Sequence, residues 1–147
     1  MTILNHIYSF KMMSSLDKLT FILSDDGAYY AVKALNTSIS GDVVIPAEYE
    51  GKPVKEIRRY AFAACKSLTS INIPDSVTVI GHGAFTICTA LTSINIPNSV
   101  ASIGSYAFAA CKSLTSINIP DSVTAVGENI FNHCQSLATN LKLMTIS

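Results

Sequence analysis

With 147 residues the chain has room for one ordinary domain and not for two. Its formal net charge is zero, with charged residues at only 14% and apolar residues at 49%, so nothing pulls it generally towards nucleic acid or anionic membranes. No apolar run reaches the roughly 18 residues of a membrane span, and the opening MTILNHIYSFKMMSSLDKL has no basic stretch ahead of an apolar core, as a signal peptide would. As encoded, the chain is expected to stay inside the cell, without membrane insertion and without nucleic-acid partners.

Met1–Ser15 places apolar residues at Ile3, Ile7 and Phe10, a weakly helical spacing that would equally suit disorder or an extension upstream of a start at Met12 or Met13. Next come LTFIL (Leu19–Leu23), a Ser24-Asp25-Asp26-Gly27 turn and YYAVKAL (Tyr29–Leu35). Two β-rich runs around Asp-Gly predict a β-hairpin. Asn36–Asp42 reads as a polar loop, and Asn36-Thr37-Ser38 has the form of a glycosylation sequon. Residues 1–42 are thus an N-terminal segment with a hairpin cap, and residues 43–147 one continuous repeat domain.

The repeats dominate the rest. Nineteen letters, YAFAACKSLTSINIPDSVT, occupy Tyr60–Thr78 and return unchanged at Tyr106–Thr124; a variant lies midway, so the true period is 23 residues. A fixed period of this size is the signature of a solenoid. Val43–Pro46 opens the first repeat, which continues through Val54, Ile57, Phe62 and Cys65; full copies start at Leu68, Leu91 and Leu114. Leu137 begins a fifth copy that loses register in LATNLKL, which leaves Leu137, Leu141 and Leu143 expected at an unprotected end.

Within LTSINIP the Ile-x-Ile spacing is that of a short strand with one buried face, Ser-x-Asn pointing outwards. Proline ends the strand because it has no N–H to give the ladder. Pro-Asp-Ser or Pro-Asn-Ser then makes a turn, and Val-x-x-Ile a second short strand or bent segment. Gly81, Gly104 and Gly127 would suit a left-handed corner, although Arg58 holds that place in the first repeat. Ala-Phe-x-x-Cys is expected to make one short turn that drops Phe and Cys into the core. A single coil cannot bury enough to stand alone, so the coils must stack and fold together.

The consensus Leu-x-x-Ile-x-Ile-Pro-x-Ser-Val-x-x-Ile-Gly-x-x-Ala-Phe-x-x-Cys resembles the BspA-type leucine-rich repeat, most clearly over Leu68–Ala90, Leu91–Ser113 and Leu114–Ser136. Val43–Ser67, with its longer loop before Val54, is similar to that family's usual first repeat. The resemblance implies a right-handed leucine-rich-repeat solenoid with short helical turns and a parallel sheet on its concave side. It also implies a non-catalytic module that binds protein, since family members, often at the cell surface or secreted, bind host proteins or other cells.

Repeats of this kind use the outward row of the concave strands, here Ser70, Asn72, Ser93, Asn95, Ser116 and Asn118. The competing reading is that identical Ser and Asn merely keep the sheet solvated, because a specific site ordinarily varies from coil to coil. A second candidate is the charged insertion Glu48, Tyr49, Glu50 and Lys52 through Arg58, Arg59 and Tyr60, which has the Tyr and Arg content of protein contacts and would otherwise be a solvated loop. Cys65, Cys88, Cys111 and Cys134 recur at 23-residue steps. A column of parallel Cβ vectors suits neither disulfides nor tetrahedral zinc, so buried free thiols are expected. His6, His82 and His133 share no spacing with carboxylates, and His82 and His133 read as exposed loop residues. No catalytic residue, metal or cofactor is expected. The expected partner is a protein, host or cell-surface, or else a glycan, of unspecified identity; a homo-oligomer through the C-terminal coil is the alternative.

Overall fold

The computed structural model describes residues 12–137. The weakly helical stretch upstream of Met12 and the irregular LATNLKL beyond Leu137 lie outside it. Residues 12–16 are helical, and Ser15 closes them onto the body of the fold by accepting the Val44 N–H at 2.9 Å.

Antiparallel strands β1 (Leu19–Leu23) and β2 (Tyr30–Ala34) form the expected hairpin. β2 then pairs in parallel with β5 (Lys52–Ile57), and the ladder continues through β7 (Val79–Ile80), β9 (Ser102–Ile103) and β11 (Ala125–Val126). The second side of the coils carries β3 (Ser40–Val44) paired with β6 (Ser67–Asn72), and β8 (Ser93–Asn95) paired with β10 (Ser116–Asn118). The result is a β-solenoid of about four turns with parallel sheets. Asn36–Asp42 is only partly the loop that its polarity suggests: Ser40–Asp42 belongs to β3, and Gly41 takes φ 72° where the register against β6 shifts.

The predicted columns point inward through the first three repeats, and the fourth is only partly covered. Leu68, Leu91 and Leu114, the isoleucines of β6, β8 and β10, and Val77, Val100, Ile80 and Ile103 are all buried in one continuous cluster that starts at Leu19. Phe62, Phe85 and Phe108 are fully buried and stack as a ladder, with ring centroids 5.3 and 5.4 Å apart and planes within 4°. Leu137 is fully buried too, as part of the core cluster, contrary to its expected exposure. Leu141 and Leu143 lie outside the described residues; among the described residues of the last coil Val126 is 50% exposed where Ile103 one coil earlier is 2%.

The Ala-Phe-x-x-Cys segments are arcs of consecutive turns. Their amides alternate in direction. Tyr60, Phe62 and Ala64 donate to His82, Ala84 and Thr86 of the next coil, while Ala61, Ala63 and Cys65 donate three residues back within their own coil. In the first three arcs every amide is thereby paired although no helix forms. The alternation forces residues into the left-handed region in two columns: Tyr60, Gly83, Tyr106 and Asn129, and Ala64, Ile87, Ala110 and His133.

Gly81, Gly104 and Gly127 are not in those columns, which corrects their assignment to a left-handed corner. Their requirement is close approach. A Cβ at Gly81 would lie 2.6 Å from the Arg59 nitrogen, one at Gly104 2.4 Å from the His82 nitrogen, and one at Gly127 2.3 Å from the Ser105 nitrogen. Arg58 escapes because what lies under it is the hairpin: its N–H donates to Val32, and β2 continues straight there instead of turning.

The four thiols are free and buried. Cys88, Cys111 and Cys134 donate to the carbonyls of Phe62, Phe85 and Phe108 in the preceding coil, at 3.1, 3.1 and 2.9 Å. Burial pushes Cys65 up to about 11 and Cys111 to about 12, so these are inert packing groups.

Candidate functional site

The charged insertion divides into two features at opposite ends of β5, about 17 Å apart at ~3.3 Å per residue. At one end Glu48 and Tyr49 form β4, which pairs antiparallel with Lys52 and Pro53. Glu50 and Gly51, with φ of 47° and 80°, make the tight two-residue turn between them. So this is an ordered hairpin and not a solvated loop. Tyr49 stacks flat on Phe21 at 4.0 Å and meets Tyr30 edge-on at 5.1 Å, and the Tyr30 hydroxyl donates to Glu50 at 3.2 Å. Desolvation, then the bond to that carboxylate, raises the Tyr30 phenol above its ordinary value. These contacts fasten the insertion to the cap, which makes it structural.

At the other end Arg58, Arg59 and Tyr60 open the first arc. The left-handed turn at Tyr60 throws its ring outwards, 51% exposed. The Arg59 guanidinium lies 5.8 Å from its centroid, and the ring spreads over Gly83, where a Cβ would come within 2.5 Å of it. His82 packs edge-on against Tyr60 at 5.3 Å and tilted against Tyr106 at 5.8 Å. Tyr106, 39% exposed, receives at its hydroxyl a bond of 3.2 Å from the Asn129 amide. An aromatic ridge therefore climbs the flank, one ring per coil. His82 is half-buried inside it and so is not the free loop residue that its isolated position suggests; His133 is exposed in its turn, as expected.

Beside the ridge lies a trough. Its capped end, about 620 Å³, is lined by Asp25 and Tyr29 of the hairpin and by Glu56, Arg58, Arg59 and His82. Its continuation, about 590 Å³, runs past Ser102, Gly104, Ala125 and Gly127, and the two parts share Gly81 and His82. Among the described residues no carboxylate ion-pairs with Arg58 or Arg59.

The Ser/Asn row stands where the periodicity puts it, on β6, β8 and β10, with a shallow groove of about 380 Å³ between Ser93, Asn95, Ser116 and Asn118. Part of it is committed to holding coils together. The Asn118 amide both accepts from the Ile96 N–H at 2.9 Å and donates to the Ile96 carbonyl at 3.0 Å, replacing a ladder peptide. Ser70 donates to Asp42 at 2.6 Å. Asn72, Ser93, Asn95 and Ser116 remain exposed. Among the described residues no cluster of His, Cys, Asp or Glu could hold a metal ion.

A family model of the BspA type leucine rich repeat region, built of six copies, matches residues 54–145. The chain belongs to that family. Solved leucine-rich repeat proteins share the fold: one from T. pallidum superimposes with TM-score 0.67 at 27% identity over 82% of this chain and 67% of that one. One from Bacteroides capillosus gives 0.66 at 32% identity, covering 74% and 83%. A leucine rich cell surface protein from Faecalibacterium prausnitzii gives 0.60 at 26% identity, with 84% of this chain spanning only 37% of that one. No curated protein matches. For this BspA-type chain the ridge and trough were missed by residue-by-residue reading, yet their signal was present. The 23-residue register sets His82 beside the Tyr60/Tyr106 column, and only that register reveals it.

Proposed function

We propose that this BspA-type repeat protein is a non-catalytic, adhesion-type interaction module that holds a protein partner against its Arg59–Tyr60–His82–Tyr106 flank. The observation that carries the reading is the ridge itself. Two exposed tyrosines and an arginine, locked by backbone geometry and by each other, have the composition and rigidity of interface anchors. They also differ from coil to coil, as a specific site should, while the Ser/Asn row repeats itself and spends Asn118 and Ser70 on its own scaffold. The cell-surface description of the F. prausnitzii neighbour agrees with an adhesive use. Beads coated with the chain are expected to retain cells or cell-surface protein, and the triple variant Arg59→Ala, Tyr60→Ala, Tyr106→Ala to lose that retention at unchanged circular dichroism. Equal retention by the triple variant would refute the assignment.

One observation favours a second reading, assembly through the C-terminal coil: Val126 is half exposed on β11, the last strand of the long ladder. Light scattering that rises with concentration, and is abolished by Val126→Lys, is the outcome this alternative requires.

A further inference from the structure

We propose that the trough beside the ridge is a binding site for a linear neutral oligosaccharide lying along the solenoid axis, one pyranose per coil. The inference rests on the flank being the binding surface, and it names the part of the partner that is gripped. Direction comes first. The trough crosses β2, β5, β7, β9 and β11, four steps of about 4.8 Å or roughly 19 Å in all, so its occupant is an extended chain and not a compact molecule. Step length comes second. The ridge offers rings 5.3 and 5.8 Å apart, close to the advance of one pyranose in an extended glycan. An extended peptide advances ~3.3 Å per residue and returns to the same face only every second residue, so its side chains fall out of step with the coils.

Chemistry comes third. The floor sets Gly81, Gly104 and Gly127 beside Val79, Ser102, Thr124, Ala125 and Val126, an open and shallow surface. The walls combine what a polyhydroxylated ring needs. Of the ridge only His82 lines the trough itself; Tyr60 and Tyr106 pack against it from either side and border the path of the sugar's C–H surface. Asp25 and Glu56 accept from its hydroxyls, and Arg58 and Arg59 donate to them with planar, multidentate geometry. With two carboxylates and two guanidinium groups in its lining, the capped end carries no formal net charge that would select a charged glycan.

The test is a titration of the ¹⁵N-labelled chain with linear neutral oligosaccharides of cello-, chito- and malto-type, in a length series from disaccharide to hexasaccharide. The expected result, with at least one type, is movement of the Gly81, Gly104 and Gly127 amide resonances and affinity that climbs with length and levels off near the tetrasaccharide. Arg59→Ala and Tyr106→Ala should each weaken it about tenfold, whereas Asn95→Ala on the other face should leave it unchanged. Absence of shifts with every series, or shifts confined to the Ser93/Asn95 groove, overturns the proposal. If the glycans are silent while coated beads still retain protein in a Tyr60- and Tyr106-dependent way, the ligand class is wrong and the flank stands. If the beads are silent as well, the flank falls with it. Saturable binding of an extended peptide in place of glycan, moving the same three amides, also refutes the assignment.

Discussion

Replacing Gly104 by alanine decides whether close approach governs the glycine column. Gly104 has an ordinary backbone conformation, so unfolded-state entropy alone would make Gly→Ala stabilising by about 0.4–1 kcal/mol. The packing says the opposite. The new Cβ would sit 2.4 Å from the His82 nitrogen and 2.7 Å from its Cα. These are backbone atoms that cannot swing aside. Reaching an ordinary contact near ~3.5 Å requires the second and third coils to part locally by about 1 Å.

That opening acts on the bonds that join the coils there: Gly104 to Ile80 at 2.8 Å, Gly83 to Ser105 at 2.9 Å and Phe85 to Ala107 at 2.7 Å. Lengthened by an ångström, all three leave hydrogen-bonding range. At about 1 kcal/mol each the cost is about 3 kcal/mol, or a fall of roughly 10 °C in Tm for a chain of this size. Arg58→Ala, at the same register over β2, should change stability by less than about 0.5 kcal/mol. Thermal and urea unfolding of the two variants beside wild type give the comparison. A Gly104→Ala variant as stable as wild type would show that the coils have slack that the interatomic distances deny.

Phe85→Ala removes the middle of a ladder with a ring on each side and should cost about 4 kcal/mol, whereas Phe131→Ala, half-buried with one ring neighbour at 6.2 Å, should cost about half as much; urea midpoints give the ratio. Asn118→Ala should lose about 1 kcal/mol or slightly more through its two bonds to Ile96, while Asn95→Ala should be neutral within error. The thiols set a limit at high pH. Because burial raises Cys65 from 9.0 to about 11, the unfolded chain ionises first, and stability must fall between about pH 9 and pH 11, by up to about 1.4 kcal/mol per pH unit per thiol. Denaturation at graded pH should show this decline, flattened in Cys65→Ala.

How much of this was legible in the letters depends on whether a residue's conformation is set within its own coil. Ile71 and Ile94 face inward because period two and the following proline settle a strand locally, and the hairpin at Leu19–Ala34 announces itself through Asp26-Gly27. The arcs are different. Tyr60 adopts φ 54° because its N–H is claimed by His82 and its neighbour's by Arg58, and no local propensity of tyrosine encodes a partner 22 residues away. The Glu50-Gly51 turn escaped for the converse reason: its Gly is visible, but Glu at the other left-handed position lacks the Asn or Asp that marks such turns. The candidate site inherits both difficulties. Arg58, Arg59 and Tyr60 stood out by composition, but the ridge needs His82 and Tyr106 from two further coils.

The left-handed columns link strain to display, and Tyr106 tests that link. Its positive φ costs a non-glycine residue on the order of 1 kcal/mol or more, and Gly83 shows that the same corner accepts glycine. Tyr106→Gly releases that strain and gives up in return a half-exposed ring, its tilted contact with His82 and the bond from Asn129. Each of these is worth a few tenths of a kcal/mol at the surface, so the variant should be as stable as wild type or better by up to about 1 kcal/mol. Binding at the flank should nevertheless fall, because the ring itself is gone and His82 loses one of its two neighbours. A residue that lowers stability where it stands, and whose removal improves the fold while abolishing capture, is held there for contact. If Tyr106→Gly instead destabilised the chain by several kcal/mol, the ridge would be part of the scaffold, and the search for the binding surface would return to Asn72 and Asn95.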